Sequence, residues 1–302
     1  MKANGKILCF GEILWDCLPN GRMPGGAPMN VALHLNRFGI NSLLASSVGD
    51  DKLGAELKEF LTKSGLATHL VQTNLHLPTS EVKVTLDKEN NATFKICEPV
   101  AWDEISLNNE LLDAIHNSKA IVYGSLVARN LHTRKTLLAL LENDLTKIMD
   151  VNLRPPYDNE NIVKELLSKS NIVKLNDDEL IKVTTWYNMK GTLEVRMRAL
   201  QEIFHFDILI VTRGKDGACL IQNDDFYEHK GFSVKTVDTV GSGDSFLAGF
   251  LAAIIEGKDM NSALKEACAI GAFVATQSGA TPEYDKNIMM SIIEKDVFET
   301  KT

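Results

Sequence analysis

The sequence predicts an α/β protein whose mostly parallel central sheet is covered by helices on both faces, and three features of the chain predict it. Short runs rich in Ile, Val and Leu alternate with longer stretches of helical period. These runs are apolar throughout, not at every second position, as strands buried on both faces are. Beyond Tyr227 the alternation stops and helical segments follow one another. Crossovers of this kind wind a layered α/β fold.

The elements follow in order. Residues 7–11 form the first apolar run, and residues 26–38 have helical period with Val31, Leu35 and Phe38 on one stripe. A strand at 42–49, a helix at 51–64, a strand at 120–126, a helix at 133–143 and a strand at 148–152 continue the pattern. Strands at 171–176 and 208–214 flank a helix at 193–204, and the last helices span 244–256, 261–276 and 288–296. One region departs from the rhythm. Residues 80–86 and 92–97 alternate polar and apolar side chains around Asp87-Lys88-Glu89-Asn90-Asn91, which reads as a hairpin with one solvated face. Such a hairpin is either a lid or subunit-contact surface, or a plain antiparallel extension of the sheet. No repeat, low-complexity tract or linker divides the chain, so residues 1–302 read as one domain.

Composition excludes several classes. A net charge of −8 argues against nucleic acid or an anionic membrane as partner. Five scattered cysteines without a C-x-x-C pair read as reduced thiols, and the start of the chain lacks a signal-peptide core, so a cytoplasmic location is expected. The longest apolar run, 246–255, is interrupted by Gly249 and reads as a buried helix, not a membrane span. The seven histidines have no metal-ligand spacing and read as structural or solvent-facing.

The chemistry concentrates in D-T-V-G-S-G-D-S-F-L-A-G, residues 238–249. Gly241, Ser242 and Gly243 form a small-residue loop opening an apolar helix, whose free amides and dipole make an anion site. Asp244 at its mouth is either a first-turn residue of the helix or a base that takes a proton from a hydroxyl attacking a phosphate. The absence of G-x-x-x-x-G-K-[ST] excludes a P-loop, and Phe246 with helix following helix excludes a dinucleotide fingerprint. A second motif, G-G-A-P-M-N-V-A, sets Gly25 and Gly26 before a helix with Asn30 in its first turn, serving either a ligand or a structural helix start. In D-V-N-L-R-P-P, Asp150, Asn152 and Arg154 alternate, hence share one side of an extended strand at its carboxyl end; a strand-ending turn competes with a binding role.

Segments 25–49 and 238–251 together resemble both signature patterns of the ribokinase-like PfkB family of carbohydrate and nucleoside kinases, and the likeness spans nearly the whole chain. W-D-C-L-P, E-P-V-A-W and D-V-N-L-R look like bacterial fructokinases within it. The resemblance implies a three-layer ribokinase-like sandwich with a small β-sheet lid, formed by about 12–24 and 72–100, and a homodimer through that lid. It implies transfer of the γ-phosphoryl group of ATP to a sugar hydroxyl, most simply fructose at its 6-hydroxyl. The alternatives are 2-keto-3-deoxygluconate or another sugar, and an inert sugar or nucleotide sensor. By the same resemblance Asp244 matches the catalytic base, Gly241, Ser242 and Gly243 the anion hole, and Arg154 a group on the phosphoryl or the sugar. Asp16, Gly25, Gly26, Asn30 and Asn152 fall in the sugar pocket, with Trp102 expected to cover it. Thr212, Gly214 and Gly217 match the nucleotide-binding turn. Asn176 and Glu179, in N-D-D-E, match the motif that organises Mg²⁺ largely through water; the same residues also fit an ordinary capping box. Asp238 would take part in a monovalent-cation (K⁺) site. Where the family usually has proline after the aspartate of D-V-N-L-R, this chain has Val151.

Overall fold

The computed structural model describes residues 5–18, 21–86 and 92–299. A nine-stranded sheet forms its centre. Five strands lead it: β1 (Lys6–Phe10), β4 (Ser42–Gly49), β5 (Val71–Asn74), β8 (Ser118–Gly124) and β9 (Thr146–Asp150). They are joined by β10 (Ile172–Asn176), β11 (Ile208–Thr212), β12 (Ala218–Gln222) and β13 (Asp225–His229). The spatial order is β13-β12-β11-β10-β9-β8-β1-β4-β5, parallel from β11 through β5, with β12 and β13 added as an antiparallel hairpin. A separate four-stranded sheet, ordered β3-β2-β6-β7, contains β2 (Leu14–Leu18), β3 (Gly21–Gly25), β6 (Ser80–Leu86) and β7 (Ala92–Ile96). The expected turn at 87–91 lies outside the described residues. Residues 72–74, within the range assigned to the lid by sequence, belong instead to β5, which pairs with β4 as an edge of the large sheet.

Side chains alternate across the large sheet, and each face has its own core. Ile7, Cys9, Ile148, Ile172 and Ile210 pack against α1 (Ala27–Arg37), α2 (Lys52–Lys63), α8 (Ser242–Ile255) and α9 (Met260–Ala275). Leu8, Phe10, Met149, Val173 and Leu209 face the opposite layer. That layer holds α3 (Asn109–His116), α4 (Leu131–Leu141), α5 (Glu160–Leu167), α6 (Asp177–Thr185) and α7 (Leu193–Phe204). A last helix, α10 (Lys286–Glu299), packs on α9. The result is a three-layer α/β sandwich with a small second sheet. The 246–255 run is the buried helix its composition predicts, and among the described residues no helix is long and apolar enough to cross a membrane.

Two sequence expectations are corrected. Trp102 does not face a ligand cavity: it is fully buried, and the Arg129 guanidinium lies 3.9 Å above its ring. Arg129 is held there by Asp103 (2.7 and 2.8 Å) and donates to the Cys97 carbonyl (2.9 Å), so the tryptophan is the floor of a buried ion pair at the root of β7. The extended alternation of Asp150, Asn152 and Arg154 also fails. β9 ends at Asp150, and Asn152 takes a left-handed backbone with φ 41° as the chain turns towards Pro155. Asparagine tolerates that region better than most residues.

Candidate active site

The carboxyl ends of β9, β10 and β11 open into a cleft of about 790 Å³, where open α/β sheets bind ligands. Val82 and Ile96 of the small sheet form one wall, Gly26 and Asn30 of the α1 start another, and Gly241 and Asp244 a third. The small sheet and the late glycine loop, distant in sequence, thus face the same space.

The glycine loop has the form its composition requires. Gly241 caps α8 with a left-handed backbone, φ 76°, and a Cβ there would lie 2.5 Å from the Ala280 carbonyl oxygen. No side chain caps the helix. The Ser242 N–H turns back to the Thr239 carbonyl (3.2 Å) and the Ser245 N–H closes on the Gly241 carbonyl (2.8 Å). The amides of Gly243 and Asp244, which a helix start leaves without an intrahelical acceptor, point to the cleft end with the positive pole of the dipole. Ser242 does not line the cleft; its hydroxyl donates to the Gly271 carbonyl (2.9 Å) and pins α8 to α9.

Asp244 stands beside this loop, and its Oδ2 accepts a 2.7 Å hydrogen bond from Asn30 Nδ2. Burial, then the nearby Asp150 charge, pushes its pKa up to about 6, while Asn30, Lys174 and Arg154 hold it down. A carboxylate with that affinity is ionised at neutral pH yet accepts a proton readily, as a general base must.

Beneath the loop lies a residue that motif reading missed. Lys174 is opposite Asp150 in the β9–β10 register and donates to both its carboxylate oxygens (2.9 and 2.8 Å). Both are almost fully buried. Burial alone would lower the lysine pKa, but Asp150, with Glu179 and Asp244, outweighs it and moves the value up, so the ammonium stays charged. A Cβ at Gly243 would lie 3.3 Å from Nζ, which puts this cation against the amide loop. The available signal was a lysine inside a strand that otherwise reads as buried on both faces. Glu12 is the other omission: it is 3% exposed, lines the cleft, and its Oε1 accepts from the Ala27 N–H (3.3 Å). Burial raises its pKa to about 7, partly countered by Arg154. The polar half of G-E after the first strand was its signal.

The remaining candidates divide by position. Asp16 on β2 lines the cleft with its pKa raised, because burial outweighs the opposing Arg154 charge, and Gly25 lies against its carboxylate. Gly26 has φ 119° and backs onto the Glu12 carbonyl, where a Cβ would come within 2.4 Å. Asn152 and the exposed Arg154 also line the cleft, Arg154 donating to the Leu153 carbonyl (3.2 Å). Asn176 and Glu179 form a full capping box: Asn176 Oδ1 accepts from the Glu179 N–H (2.8 Å), and Glu179 Oε2 accepts from the Asn176 N–H (2.9 Å). The other glutamate oxygen accepts from the Leu153 N–H (2.7 Å), and burial moves the Glu179 pKa up. Thr212 lines the cleft beside Asn176, its partner in the β10–β11 register. Gly214 and Gly217 do not line it; they shape the turn after β11, where Gly217 packs against Gly231. Asp238 lines the cleft and ties its loop together, accepting from the Val240 N–H (3.0 Å) and the Gly279 N–H (3.2 Å). Among the described residues no cluster of three metal-ligating side chains forms.

Residues 8–287 match the model of the pfkB family carbohydrate kinases. Fructokinase-2 of Solanum lycopersicum is 28% identical over 318 residues, covering 93% of each chain. Among solved structures, the fructokinase of Vibrio cholerae O395 in its fructose-, ADP- and calcium-bound form superposes with a TM-score of 0.82 at 23% identity, covering 97% of this chain and 100% of that one. The aminoimidazole riboside kinase of Salmonella enterica, complexed with aminoimidazole riboside and an ATP analog, gives 0.78 at 22% identity over 96% and 100%. Both share the three-layer fold described above.

Proposed function

Because the chain belongs to the pfkB family of carbohydrate kinases, we propose that it transfers the γ-phosphoryl group of ATP to a hydroxyl of fructose, giving fructose 6-phosphate. One observation carries this reading: the carboxylate of Asp244 stands at the amide-rich start of α8 and is hydrogen-bonded to Asn30 from the opposite wall of the same cleft. A sugar hydroxyl between Asp16, Gly26 and Asn30 would then lie within reach of the base, and a terminal phosphate within reach of the amides. Asp244 takes the hydroxyl proton as the oxygen attacks the γ-phosphorus in line, and the bond from that phosphorus to the β-phosphate oxygen breaks to release ADP. The Gly243 and Asp244 amides, Lys174 and Arg154 stabilise the charge that develops on the phosphoryl oxygens. Thr212, Gly214 and Gly217 would hold the nucleotide, and the small sheet would close over the sugar as a lid and carry a homodimer contact. A cytoplasmic location belongs to the same reading.

The donor set at Asn176 and Glu179 fits Mg²⁺ held through water and nucleotide phosphates, since both glutamate oxygens already accept backbone N–H bonds. When bound, Mg²⁺ neutralises phosphate charge. Asp238 would serve a monovalent cation such as K⁺, and its bonds to Val240 and Gly279 build the loop whether or not a cation binds.

The exposed Arg154 favours one second reading, a sugar acid such as 2-keto-3-deoxygluconate, whose carboxylate it could pair. ADP release over a panel of sugars and sugar acids, with the product identified by NMR, decides between them. Fructose 6-phosphate is the expected product; saturable sugar binding without turnover would make the protein a sensor.

The acidic limb of the kcat/KM profile is a further expected outcome. Asp244 must be ionised to act, so activity falls as pH drops through about 6. Glu12 also titrates near neutrality, so Glu12→Gln is the control. The limb stays in place in that variant if Asp244 is the base, whereas turnover is nearly lost across the whole profile if Glu12 is.

A further inference from the structure

α1 presents three residues in succession to the late part of the chain. Asn30 donates to Asp244. One turn on, along the same face, His34 is fully buried, with Nε2 3.0 Å from the Ala280 carbonyl oxygen and Nδ1 2.7 Å from the Tyr284 hydroxyl. A carbonyl oxygen only accepts, so Nε2 carries the proton and Nδ1 accepts from Tyr284. Burial brings the His34 pKa down to about 4, in keeping with a neutral ring. Arg37, nearly a further turn along, donates to the carbonyls of Thr281 (2.8 Å) and Pro282 (2.7 Å).

The segment gripped in this way is the backing of the anion loop. Ala280 is packed so closely on Gly241 that a Cβ there would lie 2.5–2.6 Å from its carbonyl oxygen, Cα and Cβ. The adjacent Gly279 N–H donates to Asp238, at the other end of the same loop. Contacts therefore run without a gap from α1 through residues 279–282 to residues 238–241. Any shift of the Ala280 carbonyl moves the loop whose amides face the cleft, because a tightly packed backbone contact transmits displacement.

We propose that α1 fixes both halves of the phosphoryl-transfer centre, the base through Asn30 and the anion loop through His34, which makes His34 a positioning residue for the transition state. The inference rests on the kinase reading above. The helix that borders the sugar thereby also holds the phosphate loop in the arrangement that catalysis uses, so that no reorganisation is needed during transfer.

His34→Leu removes the donor, whereas His34→Gln keeps an N–H for Ala280. With whichever sugar the panel identifies, the leucine variant is expected to lose about tenfold to a hundredfold in kcat, with both KM values within about twofold, and the glutamine variant to recover most of it. Hydrogen exchange supplies a readout independent of turnover. In His34→Leu the amides of 238–244 and 276–284 should exchange about tenfold faster, with β1, β8 and β9 unchanged. Should the leucine variant not fold, Arg37→Met, at the half-buried end of the clamp, should show the same localised exchange. Wild-type exchange in the two segments, a uniform rise across the sheet, or equal behaviour of the leucine and glutamine variants overturns the assignment of His34. Failure of the wild-type protein to phosphorylate any sugar instead defeats the kinase reading, while the exchange result still decides whether α1 holds the loop.

Discussion

Asp244→Asn should nearly abolish turnover while making the protein more stable. The substitution keeps the shape of the side chain, and its amide oxygen can still accept from Asn30 Nδ2, so the cleft is undisturbed. What it loses is the ability to take a proton. A positioned base contributes roughly 10²–10⁴-fold, and kcat is expected to fall by about a thousandfold or more with the KM for ATP within about twofold. The stability change has the opposite sign. The folded carboxyl has its pKa raised from 3.8 to about 6, so the folded state binds the proton more tightly than the unfolded one. Stability is therefore lost as pH rises through that window, and above it the ionised group costs of the order of 1–3 kcal/mol. Asparagine removes this cost, so urea denaturation at pH 7.5 should show a gain that vanishes below about pH 4. Normal turnover in this variant would move the base elsewhere, with Glu12 next in line. Unchanged stability would mean that the carboxylate is better solvated than its surroundings indicate.

Lys174→Met carries the second large effect. The methionine fits the apolar stem but leaves Asp150, 5% exposed, as an uncompensated buried charge. Breaking a buried pair in this way costs about 3–5 kcal/mol. Turnover should fall as well, by about a hundredfold, because the cation behind Gly243 supports the charge forming at the amide loop. The double variant Lys174→Met/Asp150→Leu separates the two roles. An apolar pair of similar volume restores much of the stability, since buried ion pairs are often replaceable, but it cannot restore a positive charge. Stability recovered without activity is the expected pattern. Recovery of both would reduce Lys174 to a structural residue.

The site was legible in the sequence where its chemistry is written locally. A loop of Gly241, Ser242 and Gly243 before an apolar helix specifies exposed amides by itself, because backbone conformation over a few residues depends on those residues. The capping box of Asn176 and Glu179 was readable for the same reason. Trp102 was misread because a large aromatic near a cavity-lining segment gives no sign of the side it faces, and here a buried Arg129–Asp103 pair claimed it. Lys174 was visible as an anomaly, a charge inside a buried strand, but its partner follows only from the register that sets it opposite Asp150. Glu12 escaped notice because one carboxylate after a strand is commonplace until its burial is known.

By itself the sequence determined the alternation of strands and helices, the two-core layering, the hairpin with one solvated face and the amide loop with its carboxylate. Each is a matter of periodicity or of backbone freedom within a short window. Only the tertiary structure decided which side chains meet: Asn30 with Asp244, 214 positions away, Lys174 with Asp150, and His34 with the Ala280 carbonyl behind the loop. Those meetings depend on sheet register and on how helices dock. Both are set by the packing of the whole core, and no local stretch of sequence contains them.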